Sequence, residues 1–139
     1  MHRNGSADYV ILVVDDEEDL RTMLAEHLED EGYTVLTAGT GDEALALAQS
    51  RRLDVILLDV MMPGLSGFDL CTVLRDLPLT RTTPIIFLTA VVDNARKTMA
   101  MRLGATEYLT KPFKLREVTA RVEGILRANA DAGGAAGTP

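Results

Sequence analysis

The chain has a single cysteine, Cys71, and no tryptophan among its 139 residues. One cysteine excludes an intrachain disulfide and favours a reducing compartment, so we expect a cytoplasmic protein. Cys71 lies within an apolar helical pattern. This position predicts a buried, inert thiol rather than a catalytic nucleophile.

Long apolar runs are also missing. No run approaches the roughly 20 apolar residues that a membrane-spanning helix needs, so we predict no membrane partner. Residues 1–8 contain no apolar stretch of signal-peptide length, and we expect them to be a disordered N-terminal extension.

Basic residues are fewer than acidic ones. Fourteen Lys and Arg stand against twenty-one Asp and Glu, which gives a formal net charge of −7. A nucleic-acid backbone is normally met by a basic field, so we expect no direct nucleic-acid binding by this domain. The same excess of acids is compatible with a cation site, provided that the acids converge.

Five short apolar runs without polar alternation are typical of strands buried on both faces of a parallel sheet. They lie at 9–14, 34–36, 55–58, 84–88 and 107–109. The segments between and after them show helical spacing, in three stripes: Leu20, Leu24 and Leu28; Ala95, Met99 and Leu103; Val118, Val122, Ile125 and Leu126. Five βα units predict an α/β fold, a three-layer doubly wound (βα)₅ sandwich with a five-stranded parallel sheet. If the strand order is 2-1-3-4-5, the first and third strands are neighbours.

Local signals predict where some of these helices begin and end. Gly32 and Gly104 follow the first and fourth helices, where a left-handed cap is expected. Asp42 is the predicted N-cap of the second helix. The Gly39–Gly41 stretch lacks a third glycine and predicts a turn rather than a phosphate loop. His27 is predicted to be half-buried on the first helix, without a partner.

Polar residues follow four of the predicted strands, at the sheet edge where such folds place their sites. Asp15 and Asp16 follow the first strand, Asp59 the third, Thr89 the fourth and Lys111 the fifth. Three converging carboxylates repel one another, and a hard divalent cation, Mg²⁺ or Mn²⁺, removes the conflict. A carboxylate nucleophile, a cation and two hydrogen-bond donors suit phosphoryl transfer. Each residue alone also fits a structural role, as a cap, a turn residue or a surface lysine; their coincidence favours a site.

These residues stand in segments that resemble the receiver domain of two-component response regulators. The matching segments are 13–17, 57–64, 88–90, 104–105 and 108–113, in the family's order and spacing. The resemblance covers residues 9–128, which we take as the receiver domain, and it implies a flavodoxin-like (βα)₅ fold with strand order 2-1-3-4-5. We expect residues 129–139 to be a flexible Ala/Gly-rich tail or a truncated linker.

The resemblance implies a switch rather than an enzyme, in which a sensor histidine kinase or a histidine phosphotransfer protein phosphorylates Asp59. It implies that Mg²⁺ is ligated by Asp16, Asp59 and the backbone carbonyl of Met61. Asp15 would act mainly through a metal-bound water.

The resemblance also implies how the signal leaves the site. Thr89 and Lys111 would hold the phosphoryl oxygens, with a cis peptide between Lys111 and Pro112. The ring of Tyr108 would turn into the space that Thr89 vacates. This would alter the face of the fourth helix, fifth strand and fifth helix, whose mixed charges fit either a homodimer or a merely solvated surface.

Three other functions compete with this prediction. A flavin or nucleotide binder would place a phosphate loop after the first strand, where this chain has five consecutive acids. An aspartyl phosphatase would take its nucleophile from the first strand and carry a cap domain. An interaction module that is not phosphorylated has no use for the full acid set. A further alternative keeps the function: a receiver fragment of a longer regulator with a DNA-binding or enzymatic output domain.

Overall fold

The structure is a computed structural model that describes residues 9–90 and 94–136, of which 131–136 are described by their backbone alone. Strands and helices alternate along the chain. They are β1 (Val10–Val14), α1 (Glu18–Asp30), β2 (Thr34–Ala38), α2 (Gly41–Ser50), β3 (Val55–Asp59), α3 (Gly67–Asp76), β4 (Ile85–Thr89), α4 (Asn94–Arg102), β5 (Glu107–Thr110) and α5 (Leu115–Ala136). The predicted extension at 1–8 lies outside the described residues.

All five strands are parallel and form one sheet of order β2-β1-β3-β4-β5. The predicted fold is therefore confirmed. Because the strand order reverses at β1, the chain leaves β1 and β3 in opposite directions, which opens a crevice beyond their carboxyl ends. Val14 is paired with Leu58 in the register of these two strands, so the residues that follow them meet at the same edge.

The core has two halves because successive side chains of a strand point to opposite faces. Ile11 and Val13 pack with α1 and α5 on one face. Leu12 and Val14 pack with α2, α3 and α4 on the other. Both faces are buried, which explains why the strand sequences lack polar alternation.

The predicted helix ends are confirmed at two glycines and wrong at one cap. Gly32 and Gly104 have φ angles of 102° and 105°, in the left-handed region that favours glycine. The N-cap of α2 is Thr40 instead of Asp42: its Oγ1 accepts a hydrogen bond of 3.1 Å from the Glu43 backbone N–H. The helix begins two residues earlier than predicted, so Asp42 lies in its first turn, where a negative charge is favourable.

The apolar stripe predicted for α4 is wrong. Ala95 is exposed and Met99 is 50% exposed, whereas Ala100 is fully buried. Helix α4 therefore buries one small side chain, that of Ala100, and its exposed surface combines polar residues with Met99 and Met101. The stripe predicted for α1 fares better, since Leu24 and Leu28 are fully buried.

Helix α5 runs to Ala136, so the backbone is helical through residues 129–136. Frequent alanines, the best helix formers, account for the continuation. That residues 129–139 are a flexible tail or a truncated linker stays a prediction. The boundary of the domain at residue 128 stays a prediction. Across residues 9–90 and 94–136, no helix combines the length and the apolarity needed to cross a bilayer.

Candidate functional site

The acidic residues predicted from separate strand ends come together. One carboxylate oxygen from each of Asp15, Asp16 and Asp59 lies within 4.8 Å of the others. Asp15 and Asp59 are buried, and Asp16 is exposed. Lys111 reaches the same group from the end of β5, and Thr89 is the buried last residue of β4.

Asp15 is fully buried, and four different parts of the chain hold it. Its backbone N–H donates to the Ala38 carbonyl at 3.1 Å, and its own carbonyl accepts from Nη1 of Arg21 at 2.8 Å. Its Oδ1 accepts from the Glu17 backbone N–H at 2.9 Å, and its Oδ2 accepts from Nζ of Lys111 at 3.0 Å. These bonds fix both the backbone and the carboxylate of Asp15 in the crevice.

Asp59 is buried beside a second carboxylate, that of Asp15, which disfavours its charged form. It is 4% exposed, and its Oδ1 accepts from the Met61 backbone N–H at 3.2 Å. Burial and, after it, the negative charge of Asp15 raise the pKa of Asp59 from 3.8 to about 6, although Lys111 and the Met61 N–H act in the opposite direction. Its charged form is therefore short of positive partners in the absence of a cation.

The start of α3 fixes the backbone of Asp59. A Cβ added to Gly67 would lie 2.3 Å from the Asp59 carbonyl oxygen, so only glycine fits this contact. The Gly67 N–H donates to the Val60 carbonyl at 3.0 Å, and the Ser66 hydroxyl accepts from the Asp69 N–H to cap the helix. The end of β3 is thereby packed directly against the first turn of α3.

Lys111 lies among three carboxylates. Its Nζ is 3.0 Å from Oδ2 of Asp15, 3.6 Å from Oε1 of Glu17 and 3.7 Å from Oδ2 of Asp59. Burial by itself lowers the pKa of Lys111, but the hydrogen bond with Asp15 and the charges of Asp59 and Glu17 outweigh it and raise the pKa above the ordinary value. The Lys111–Pro112 peptide bond is cis, as the resemblance implied.

The two predicted switch residues lie on neighbouring strands. Thr89 is fully buried at the end of β4, and Tyr108 of β5 is half-buried. Tyr108 pairs with Phe87 in the strand register, and their rings meet edge to face with centroids 6.5 Å apart. Tyr108 is thus paired with the residue two positions before Thr89 on the neighbouring strand.

The donor set fits a hard divalent cation. Three carboxylates offer the oxygens that Mg²⁺ prefers, and the exposed side chain of Asp16 leaves the cluster open to solvent on one side. A cation would also relieve the shortage of positive charge that raises the pKa of Asp59. The individual ligands, including the Met61 carbonyl, stay predictions.

Sequence reasoning missed two residues beside this site and one contact elsewhere. Glu17 approaches Lys111, and Arg21 donates to the Asp15 carbonyl. Glu17 directly follows Asp16 as the N-cap of α1, and Arg21 lies in the first turn of that helix, so their place at the start of α1 is the only signal in the sequence. The prediction that His27 has no partner is wrong, because its Nε2 lies 2.7 Å from Oγ1 of Thr119 and joins α1 to α5.

Comparison with known proteins gives a consistent family. The sequence model of the response regulator receiver domain family matches residues 11–123. The chain is 50% identical over 117 residues to the alkaline phosphatase synthesis transcriptional regulatory protein PhoP of Bacillus subtilis, covering 84% of this chain and 48% of that protein. It is 42% identical over 121 residues to the DNA-binding response regulator MtrA of Mycolicibacterium smegmatis, covering 87% and 52%.

Solved structures agree with the sequence comparisons. The chemotaxis protein CheY4 of Vibrio cholerae, at 38% identity, superposes with a TM-score of 0.81 over 84% of this chain and 98% of CheY4. The chain spans about half the length of the curated relatives it matches, but nearly all of this solved structure.

Proposed function

Because the chain belongs to the response regulator receiver domain family, we propose that Asp59 accepts a phosphoryl group and that the domain works as a phosphorylation-dependent switch. The observation that carries the proposal is the meeting of three carboxylates and Lys111 at the carboxyl edge of the sheet. Asp59 is the member of this set that ends the central strand β3.

The proposed reaction is a transfer between two nucleophiles. A carboxylate oxygen of Asp59 attacks the phosphorus of a phosphohistidine on the donor protein. The O–P bond forms while the P–N bond breaks, and the electron pair of that bond returns to the imidazole. With a pKa of about 6, Asp59 is mostly ionised at neutral pH, so the attack needs no general base.

A divalent cation, Mg²⁺ or Mn²⁺, is part of the proposal. Asp16 and Asp59 would hold it with the Met61 carbonyl, and Asp15 would act through a bound water. When bound, the cation supplies positive charge that offsets the negative charges of the nucleophile and the phosphoryl group. Lys111 adds a second positive charge at the same edge, 3.7 Å from Asp59.

Thr89 and Tyr108 are the proposed path from the site to the surface. The Thr89 hydroxyl would donate to a phosphoryl oxygen, and the ring of Tyr108 would move inward on the neighbouring strand. This motion would change the face of α4, β5 and α5, where Arg121 and Glu107 form an ion pair. On that face we place a homodimer contact as the first expected output.

The proposed partners follow from the family and from the printed names of the relatives. A sensor histidine kinase or a phosphotransfer protein would supply the phosphoryl group. Two relatives of about twice the length are named as a transcriptional regulator and a DNA-binding response regulator. Their coverage favours the alternative in which this chain is the receiver part of a longer DNA-binding regulator, which the coding sequence downstream of Pro139 would test.

The experiment is phosphorylation by acetyl phosphate or carbamoyl phosphate in the presence of Mg²⁺. Intact-protein mass spectrometry should show one added phosphoryl group on the wild-type chain and none on Asp59→Asn. Asp42→Asn, which changes an exposed aspartate in the first turn of α2, is the matched control and should label like the wild type. Labelling of Asp59→Asn at the wild-type level would place the acceptor elsewhere and refute the proposal, and multiple turnover on a small phosphate ester would favour a phosphatase.

A further inference from the structure

Arg75, in the last turn of α3, binds main-chain carbonyls of two separate connections. Its Nε and Nη2 donate to the Gly104 carbonyl at 3.2 and 2.6 Å. Its Nη1 donates to the carbonyls of Thr80 and Thr83 at 2.9 and 2.7 Å. The planar guanidinium therefore joins the turn after α4 to the α3–β4 connection through one rigid fork of donors.

Gly104 is shaped to receive this side chain. Its φ of 105° is one that glycine adopts without strain, and a Cβ there would lie 2.7 Å from Nε of Arg75. On either side of it, the Leu103 carbonyl accepts from Sγ of Cys71 at 3.4 Å, and the Thr106 N–H donates to the carbonyl of Ile85 at 2.7 Å. The C-terminal end of α4 is thus attached to α3 and to β4.

The rest of α4 is largely exposed to solvent. Residues 94–99 are all exposed, and Met99 leaves half of its surface in solvent. Ala100 is the buried residue of this helix. A helix that faces the sheet through one alanine gains little free energy from packing, so its position depends on the end that is attached.

From this asymmetry we propose that Arg75 is the pivot of α4. The inference rests on the proposed function: when the site after β4 changes on phosphorylation, α4 reorients at its N-terminal end while the turn at Gly104 stays in place. Arg75 is a positioning residue in this scheme, distant from the phosphoryl group, and it sets which part of the α4 surface responds. Without its fork of hydrogen bonds, the whole helix and the turn would move together.

Residue-resolved amide hydrogen exchange tests the pivot, with Mg²⁺ and with or without beryllofluoride, a mimic of the phosphoryl group. In the wild type, exchange in residues 94–101 should change on adding beryllofluoride, whereas Ala105 and Thr106 should not respond. In Arg75→Met, exchange at Ala105 and Thr106 should rise about tenfold or more before any addition, and these amides should then respond to beryllofluoride.

Two further variants separate the pivot from a general loss of stability. Arg81→Met removes an exposed arginine from the same α3–β4 connection and should behave like the wild type. Arg75→Lys keeps the charge but replaces the planar fork of donors by a single nitrogen. That nitrogen cannot lie beside the Gly104 carbonyl and beside the carbonyls of Thr80 and Thr83 at once, so the variant should give an intermediate effect while remaining folded.

The outcomes distinguish the inference from the function on which it rests. If Ala105 and Thr106 of the wild type respond to beryllofluoride as strongly as residues 94–101, the pivot is refuted and the proposed function stands. If Arg75→Met leaves exchange at these two amides unchanged, the pivot is also refuted. If no amide of the wild type responds, the proposed function fails, and the role of Arg75 in it fails with it.

Discussion

Asp59→Asn should stabilise the metal-free protein, by an amount that depends on pH. Asp59 is nearly buried, and its pKa rises from 3.8 in an ordinary environment to about 6 in the fold. The folded chain therefore holds this proton more tightly than the unfolded chain does. Ionisation of Asp59 lowers the free energy of unfolding as the pH rises from about 3.8 to about 6.

The magnitude follows from the two pKa values. With a pKa of 3.8 in the unfolded chain and about 6 in the fold, linkage gives a cost of about 3 kcal/mol at pH 7.5 and about 1 kcal/mol at pH 4.5. The amide of an asparagine avoids this cost. Its Oδ1 retains the capacity to accept from the Met61 N–H, and Lys111 keeps its 3.0 Å bond to Asp15.

Urea unfolding in EDTA at the two pH values measures the effect. The gain in unfolding free energy of Asp59→Asn over the wild type should be larger at pH 7.5 by about 2 kcal/mol. Asp42→Asn, at an exposed position of α2, should stay within about 0.5 kcal/mol of the wild type at both. A gain in unfolding free energy that does not depend on pH would show that the fold does not disfavour the charged form of Asp59.

Two other predictions concern the same end of the sheet. Mg²⁺ at about 100 times its dissociation constant should raise the unfolding free energy of the wild type by about 2.7 kcal/mol, and it should raise that of Asp59→Asn by less. EDTA should reverse both increases. A urea midpoint of the wild type that does not change with Mg²⁺ would contradict the cation site. Gly67→Ala should cost about 3 kcal/mol or more, because its Cβ would meet the Asp59 carbonyl oxygen at 2.3 Å. Gly124→Ala lies in the exposed interior of α5, where an added Cβ would have no atom within 4 Å apart from its chain neighbours and the local helix backbone. This change should gain about 0.5–1 kcal/mol, and equal effects of the two changes would refute the packing argument.

The fold was predictable because its signals are local and repeated. The unalternated runs of β1, β3 and β4 reflect burial on both faces, and Gly32 and Gly104 mark helix ends through their φ angles. The α4 stripe was wrong because spacing alone does not say which of two adjacent faces meets the sheet. Thr40 displaced Asp42 as a cap for a similar reason, since both side chains are competent and the start of the helix decided between them.

The candidate site was predictable at the level of which residues meet. Asp15 directly follows β1 and Asp59 ends the neighbouring strand β3, so topology alone brings them together. The order in which Lys111 contacts its carboxylates was not predictable, because it depends on distances that differ by less than 1 Å. The contacts of Arg21 and Arg75 with main-chain carbonyls leave no pattern in the sequence, since any carbonyl presents the same acceptor.

The excess of negative charge in the site destabilises the metal-free fold, and the same excess is what the proposed function uses. The ammonium group of Lys111 lies within 4 Å of carboxylate oxygens of Asp15, Glu17 and Asp59, and it is closest to Asp15. Asp16 adds a further carboxylate to the cluster of Asp15 and Asp59. Lys111 thus offsets only part of the negative charge of Asp59. An added cation would supply the missing charge, and Asp16 leaves solvent access for it. If Lys111 lay as close to Asp59 as it does to Asp15, the site without a cation would be more stable. Cation binding would then stabilise the charged carboxylate of Asp59 by less.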